Sequence, residues 1–346
     1  MDCKLQDWLK GWVHSLQKAY ADVAQLAEQL ICNQQVIGSS PIIGLNFGMT
    51  LGAMAGQLGL IFAADWQIWG IPGMVLAVII SIPISVLLGL FCGKMLNMAK
   101  GREMITSYII AFFMNGLYQL VVLYMMGPVI PIKHSSIKLP RGYGIRNTVS
   151  LLNMRQALDN LWAIRIGGVK IPVLTLLITG LLCLFIIWFR KTKLGQDMRA
   201  VGQDMDVARD AGIKVERTRI IAIVLSTVCA GIGMVIYLQN MGNIATYSSH
   251  TQIGMFCIAA LLVGGASVDK ASIGNAFLGV VLFHLMFIVA PSAGAKITGD
   301  SMIGEYFRVF VSYGVITLAL IMYETKKRIA KGKAGEQLKL DQSEEE

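Results

Sequence analysis

Uninterrupted apolar runs restrict this sequence more than any other feature. The stretch GMVLAVIISIPISVLLGLFC, residues 73–92, carries no charged side chain. An α-helix of about 20 such residues crosses a hydrocarbon core of about 30 Å. Only 15% of the 346 residues are charged, against about 25% in soluble domains. A soluble chain would place charge along one face of each helix, and whole windows here have none. The runs are continuous, unlike the alternating pattern of a transmembrane β-barrel. The fold class that follows is all-α, a polytopic transmembrane helical bundle.

Eight windows qualify as spans: 42–64, 72–93, 104–127, 171–189, 220–240, 252–267, 273–291 and 305–323. Basic residues orient them. Lys94, Lys100 and Arg102 mark one inner loop. A second runs from Arg190 through Lys191, Lys193, Arg199, Arg209, Lys214 and Arg217 to Arg219, and Lys326, Lys327 and Arg328 open an inner tail. Alternating spans bring all three to the same side and put both termini in the cytoplasm. Residues 128–170 are then external despite seven basic residues from Lys133 to Lys170, since long segments translocate regardless of charge. Within them, LLNMRQALDNLW predicts a short amphipathic helix on the outer face.

The chain divides into an atypical N-terminal segment (1–41), a transmembrane domain (42–323) and a charged cytoplasmic tail (324–346). In the first, Trp8, Leu9, Trp12, Val13 and Leu16 form an amphipathic stripe suited to lying in the membrane interface with lipid. The following VAQLAEQLICNQQVIGSSPI resembles a transfer-RNA gene translated in the wrong sense. The expectation is that this segment is foreign to the domain it precedes.

Composition excludes several functions. The net charge of +9 collects between spans and at the C-terminus, which is a topology signal and not a nucleic-acid patch. The cysteines at 3, 32, 92, 183, 229 and 257 form no CxxC or Cys/His cluster, so neither a disulfide framework nor a metal site is expected. No catalytic constellation, cofactor motif or G-x-x-x-x-G-K-[ST] phosphate loop occurs. The chain therefore does not hydrolyse nucleotide by that route.

Polar and small residues inside the spans are the informative ones. Gly44, Gly48, Gly52 and Gly56 draw a bare stripe along one helix, suited to close packing of a neighbour. Gly264 and Gly265 are read the same way. Asp65, Trp66, Gln67 and Trp69 read as interface anchors. Gln57, Asn115, Gln119 and Asn240, with His284 (the one histidine inside a window), are the pathway residues. Uncharged amides suit hydroxyl-rich ligands, and each serves equally well as an interhelical hydrogen bond.

One segment breaks the apolar pattern. GQDMRAVGQDMDVARDAGIKVERTR, Gly195 to Arg219, holds five basic and five acidic residues. Asp204–Ala211 predicts a short helix with Met205, Ala208 and Ala211 on one side, Asp206, Arg209 and Asp210 around them, and Gly212 ending it before Ile213. Such a helix held parallel to the membrane fits a groove on a soluble partner; a solvated loop is the plain alternative.

The same segment resembles the cytoplasmic loop of the ABC-importer permeases that serve simple sugars, nucleosides and branched-chain amino acids. The matching positions are Thr192, Gly195, Arg199, Ala200, Gly202, Ala208, Arg209, Gly212 and Ile213. A later segment is similar through Ala260, Gly264, Gly265, Ser267, Gly274 and Gly279. Over roughly residues 44–323 the resemblance implies a type II importer permease fold. It implies that Arg199, Gly202, Met205, Asp206, Ala208, Arg209, Ala211, Gly212 and Ile213 couple the spans to an ATP-binding subunit. The implied partners are two ATP-binding subunits, a second permease (a copy or a paralogue) and an external substrate-binding protein. One departure is that GLIFAADWQIWGIPG keeps Asp65 but lacks the small residues flanking it in the sugar branch. The rival reading, an ion-driven secondary transporter, requires ionisable residues within the spans and an inverted repeat. The sequence offers only Glu305 and Arg308 near a span end.

Overall fold

The computed structural model describes residues 48–99, 102–155, 157–166, 169–265 and 273–298, with isolated positions from 306 to 325. The N-terminal segment, Gly44, the tail and most of the eighth window lie outside them.

Helix α1 (Met49–Asp65) holds one charge, at its last residue. It ends in a double backbone bond, Ile68 N–H to Ala63 O (3.1 Å) and Gln67 N–H to Ala64 O (3.3 Å). Gln67 at φ 56° takes the left-handed position that glycine usually fills. Helix α2 (Gly70–Met98) contains Pro83. Helix α3 (Glu103–Leu120) closes with a π turn, Val121–Met125. After a long loop come α5 (Val173–Lys191), the short α6 (Lys193–Gln203) and α7 (Met205–Asp210), and the long α8 (Val215–Met241). Helices α9 (Ser249–Val263) and α10 (Ile273–Thr298) follow.

The core is the triplet α1, α2 and α8. A Cβ on Gly52 would collide with the Thr227 carbonyl of α8, and one on Gly56 with the Gly231 carbonyl. The glycine stripe therefore lets α1 and α8 touch through backbone, which apolar side chains immersed in lipid cannot achieve by hydrophobicity. Gly48 caps α1. At the α9–α10 crossing, Gly264 meets the Asn275 carbonyl and Gly279 meets the Ala260 carbonyl. Gly265 turns the chain at φ +81°.

Among the described residues, four helices are long and apolar enough to cross a membrane: α2, α3 with its π turn, α5 and α8. Helices α1 and α9 coincide with predicted spans but are shorter, at 17 and 15 residues. At a rise of about 1.5 Å per residue, α9 covers roughly 22 Å. A turn and a strand precede its Ser249 end, and among the described residues helices stand at seven of the eight predicted windows.

The predicted amphipathic helix of the long loop is instead two pieces, a 3₁₀ turn (Leu152–Met154) and α4 (Ala157–Leu161). Met154 and Leu158 turn inward while Leu152, Leu161 and Trp162 are exposed. Two small ribbons modify the all-helical picture. Strand β1 (Thr148–Ser150) pairs antiparallel with β4 (Asn243–Ala245), Val149 opposite Ile244. Strands β2 (Ala163–Ile166) and β3 (Val169–Pro172) form a hairpin.

Candidate functional site

The polar residues inside the bundle form a chain. Gln57 is fully buried on α1, and its Nε2 donates to the carbonyls of Ala245 (3.2 Å) and Thr246 (2.9 Å). Its Oε1 lies 3.0 Å from Nδ1 of His250, at the start of α9. Nε2 of His250 lies 2.9 Å from Oδ1 of Asn115 on α3, and Gln119 reaches the same oxygen at 3.5 Å. The His250 ring is fully buried and packs on Tyr118 at a centroid distance of 4.8 Å. Three helices are thereby tied by neutral groups, which hydrocarbon tolerates far better than charges.

Asn115 also lines a cavity of about 220 Å³ between α1, α3 and α9. Thr50 and Thr251 add hydroxyls, while Met49, Met255 and Ile258 are apolar. Tyr108 and Phe112, edge to face at 4.7 Å, supply aromatic surface. An apolar cavity with a few convergent polar groups is the usual form of a small-molecule site.

Of the residues read from sequence, Gln57, Asn115 and Gln119 meet in this chain. Asn240 lies half-buried in the last turn of α8 and has a partner of its own. His284 belongs to α10, with a side chain outside the described residues. The sequence reading missed His250. It precedes the apolar window behind the polar run TYSSHTQ, so hydropathy assigns it to a loop. The signal available was a histidine within one turn of a span.

The long loop after α3 is strapped onto this chain. Thr246 N–H donates to Asn147 O (2.8 Å), Thr246 Oγ1 to Arg146 O (2.8 Å) and the Tyr247 hydroxyl to Ile145 O (2.7 Å). Burial pushes the Tyr247 phenol up from its ordinary value, so it remains a donor. Farther along, buried Asp65 accepts from the backbone N–H groups of Lys133 (3.1 Å) and His134 (2.9 Å). It works as a loop clasp rather than an interface anchor.

At the opposite end, the charged segment folds as two capped helices. Thr192 Oγ1 caps α6 by accepting from Gly195 N–H at 3.3 Å. Asp204 Oδ1 caps α7 by accepting from Asp206 N–H (2.9 Å) and Val207 N–H (3.1 Å). Helix α7 ends as Gly212 N–H donates to Arg209 O (2.9 Å) and Ile213 N–H to Ala208 O (3.0 Å), with Gly212 at φ +81°. The Met205–Ala208–Ala211 face is not presented as expected. Ala208 is buried and Met205 packs against the core, while Ala211 is exposed. A six-residue helix lying on the bundle must bury one side, and Ala208 is small enough to let it approach. The outward side is Asp206, Val207, Arg209 and Asp210, with Val207 65% exposed. Arg199 on α6 is exposed too, Gly202 is half-buried, and Arg209 pairs weakly with Asp206 at 3.3 Å.

Just beyond, Arg219 on α8 is fully buried and its Nη2 meets Glu103 Oε1 of α3 at 3.0 Å. Its Nε and Nη1 have no hydrogen-bond partner among the described residues. The pair joins the helix that follows the charged segment to the helix that carries Asn115.

Among the described residues no cluster of three His, Cys, Asp or Glu side chains can hold a metal ion, and Cys92, Cys183, Cys229 and Cys257 form no disulfide. The long apolar helices and the neutral polar groups buried between them define a multi-pass helical membrane protein. Residues 41–320 match the family described as branched-chain amino acid transport system / permease component, and the chain belongs to that family. It is 26% identical over 306 residues to the nucleoside ABC transporter permease protein NupB of Lactococcus lactis subsp. cremoris, covering 84% of this chain and 76% of that one. The xylose transport system permease protein XylH of Haemophilus influenzae is 29% identical over 163 residues, covering 46% of this chain and 40% of its own length. The autoinducer 2 import system permease protein LsrD of Photorhabdus luminescens is 25% identical, covering 70% of this chain and 65% of its own. The chain is an ABC-type permease.

Proposed function

We propose that this chain is the membrane-spanning subunit of an ATP-driven importer that translocates a small polar solute, sugar-like or nucleoside-like. The observation that carries the reading is the buried chain Gln57–His250–Asn115–Gln119, which joins a cavity in the bundle to the strapped outer loop. An external binding protein would deliver solute onto that loop. ATP-binding subunits would dock on the outward side of α7, with Arg199, Gly202, Asp206, Arg209, Ala211 and Gly212 at or near the contact. Met205, Ala208 and Ile213 would hold the helix in place. Both termini are cytoplasmic, and a second permease, a copy or a paralogue, completes the pathway. Movement of α7 would pass through α8 and the Arg219–Glu103 pair to α3 and its Asn115. The permease residues do no covalent chemistry.

The test is co-purification and reconstitution. The chain, expressed with an ABC-type ATPase and a substrate-binding protein from its own genome, should purify as one complex and accumulate solute in vesicles only with ATP. Uptake by the chain alone, driven by an ion gradient without ATP, would replace this reading with a secondary transporter.

A further inference from the structure

Hydrogen-bond polarity at His250 determines what the cavity offers a ligand. Gln57 cannot turn its amide over, because its Nε2 is held by two backbone carbonyls, Ala245 O and Thr246 O. Its Oε1 therefore faces His250 Nδ1, and Nδ1 must carry a proton. A neutral imidazole then has a lone pair on Nε2 and needs a donor there. The alternative, an imidazolium, would place a cation in a fully buried site whose facing groups are the Tyr118 ring and two amides. No acidic residue is ion-paired with it among the described residues, and an unpaired buried charge is costly. The ring is thus the neutral Nδ1–H tautomer.

Asn115 stands 2.9 Å from Nε2 with its oxygen toward the ring. An amide's two ends exchange by a half-turn, and only the Nδ2 end satisfies a neutral Nε2. The half-turn directs Oδ1 away from the ring, toward the cavity that Asn115 lines, and Gln119 keeps its contact by turning its own amide so that its Oε1 accepts from Nδ2.

We infer that this cavity is a solute subsite, and that His250 sets the Asn115 carbonyl as its hydrogen-bond acceptor. The fitting ligand is neutral, offers an N–H or O–H donor, and carries a flat or apolar face to lay against Tyr108 and Phe112. At about 220 Å³ the cavity lies below the roughly 300–1,000 Å³ of drug-sized pockets, so it takes a small ring or one end of a larger molecule. A nucleobase edge and a pentose hydroxyl share this chemistry. An anionic solute is disfavoured, because a carbonyl acceptor repels it. The inference rests on the permease reading above.

The experiment uses the whole importer in vesicles, with uridine, adenosine, xylose and arabinose as probes. Each is paired with a derivative in which one donor is methylated. For the transported class, the wild-type complex should prefer the parent over its methylated form by about tenfold, one buried hydrogen bond's worth. Asn115→Leu should bring the ratio to about one. His250→Phe should do the same although Asn115 is intact, and Asn115→Asp should retain the preference. As a measure independent of transport, the preferred probe should protect Met255→Cys from a maleimide in the wild-type background but not with Asn115→Leu. ATP-driven uptake with an unchanged ratio in both Asn115→Leu and His250→Phe overturns the subsite and leaves the permease reading standing. Absence of uptake by the assembled wild-type complex overturns both. Uptake of the nucleoside pair identifies the base edge as the donor, and uptake of the sugar pair identifies the hydroxyl.

Discussion

The two ends of this bundle are held by different physics. At one end, a long loop is fastened by several separate hydrogen bonds to backbone. Gln57 holds two carbonyls of the 245–246 turn, β1 pairs with β4, and Asp65 receives two backbone N–H groups. At the other end, α7 lies on the surface with its own caps, and one buried ion pair, Arg219–Glu103, ties α8 to α3. Distributed hydrogen bonds keep a rim in one shape, because losing one leaves the rest. A single buried ion pair is all-or-none, since either partner left alone is an uncompensated charge. The rim is built to hold, and the opposite end to transmit or fail as a unit.

The sharpest way to break that contrast is at the ion pair. Glu103→Ala should cost about 3–5 kcal/mol by leaving Arg219 buried and unpaired. Thermal unfolding of the detergent-solubilised protein should show it, and adding Arg219→Met should recover most of the loss. If Glu103→Ala is as stable as wild type, the pair is not the tie described here. Next in size is Gln57→Leu, which strands two carbonyls and one imidazole nitrogen. It should cost about 1–3 kcal/mol. Hydrogen exchange should rise across residues 243–248 and stay unchanged across 205–212. An equal rise at both ends would erase the distinction between them.

Gly212→Val forces a β-branched residue into left-handed backbone at φ +81°, a local strain of roughly 1–2 kcal/mol. Global unfolding should shift little. Solute moved per ATP hydrolysed should fall, and an unchanged ratio would remove Gly212 from the coupling assignment. The smallest effect on stability belongs to Val207→Asp, at a side chain 65% exposed, expected within about 0.5 kcal/mol. Retention of the ATPase on a column bearing the permease should nonetheless drop. Undiminished retention would place docking elsewhere than on the outward side of α7.

How far the sequence could be read depended on the range of the interaction. Asp204 and Gly212 as the ends of a short helix follow from capping between residues a few positions apart, and so were legible. So were the helices at seven windows, because twenty apolar residues in lipid must close their own backbone bonds. The face of α7 was misjudged, because spacing names a face but not the neighbour it meets. Ala208 is buried only because the bundle lies beneath it.

The apolar runs, the glycine spacing and the caps determined by themselves that this chain is a helical membrane bundle with a structured charged interruption. These are local quantities, set by backbone satisfaction and steric size. Only the tertiary structure decided which polar groups meet. It brought Gln57 and His250, 193 positions apart, to 3.0 Å. It also brought Arg219 to Glu103, 116 positions away. A hydrogen bond carries no trace in spacing when its partners lie on different helices, so the buried amide chain and the cavity beside it had to be seen folded.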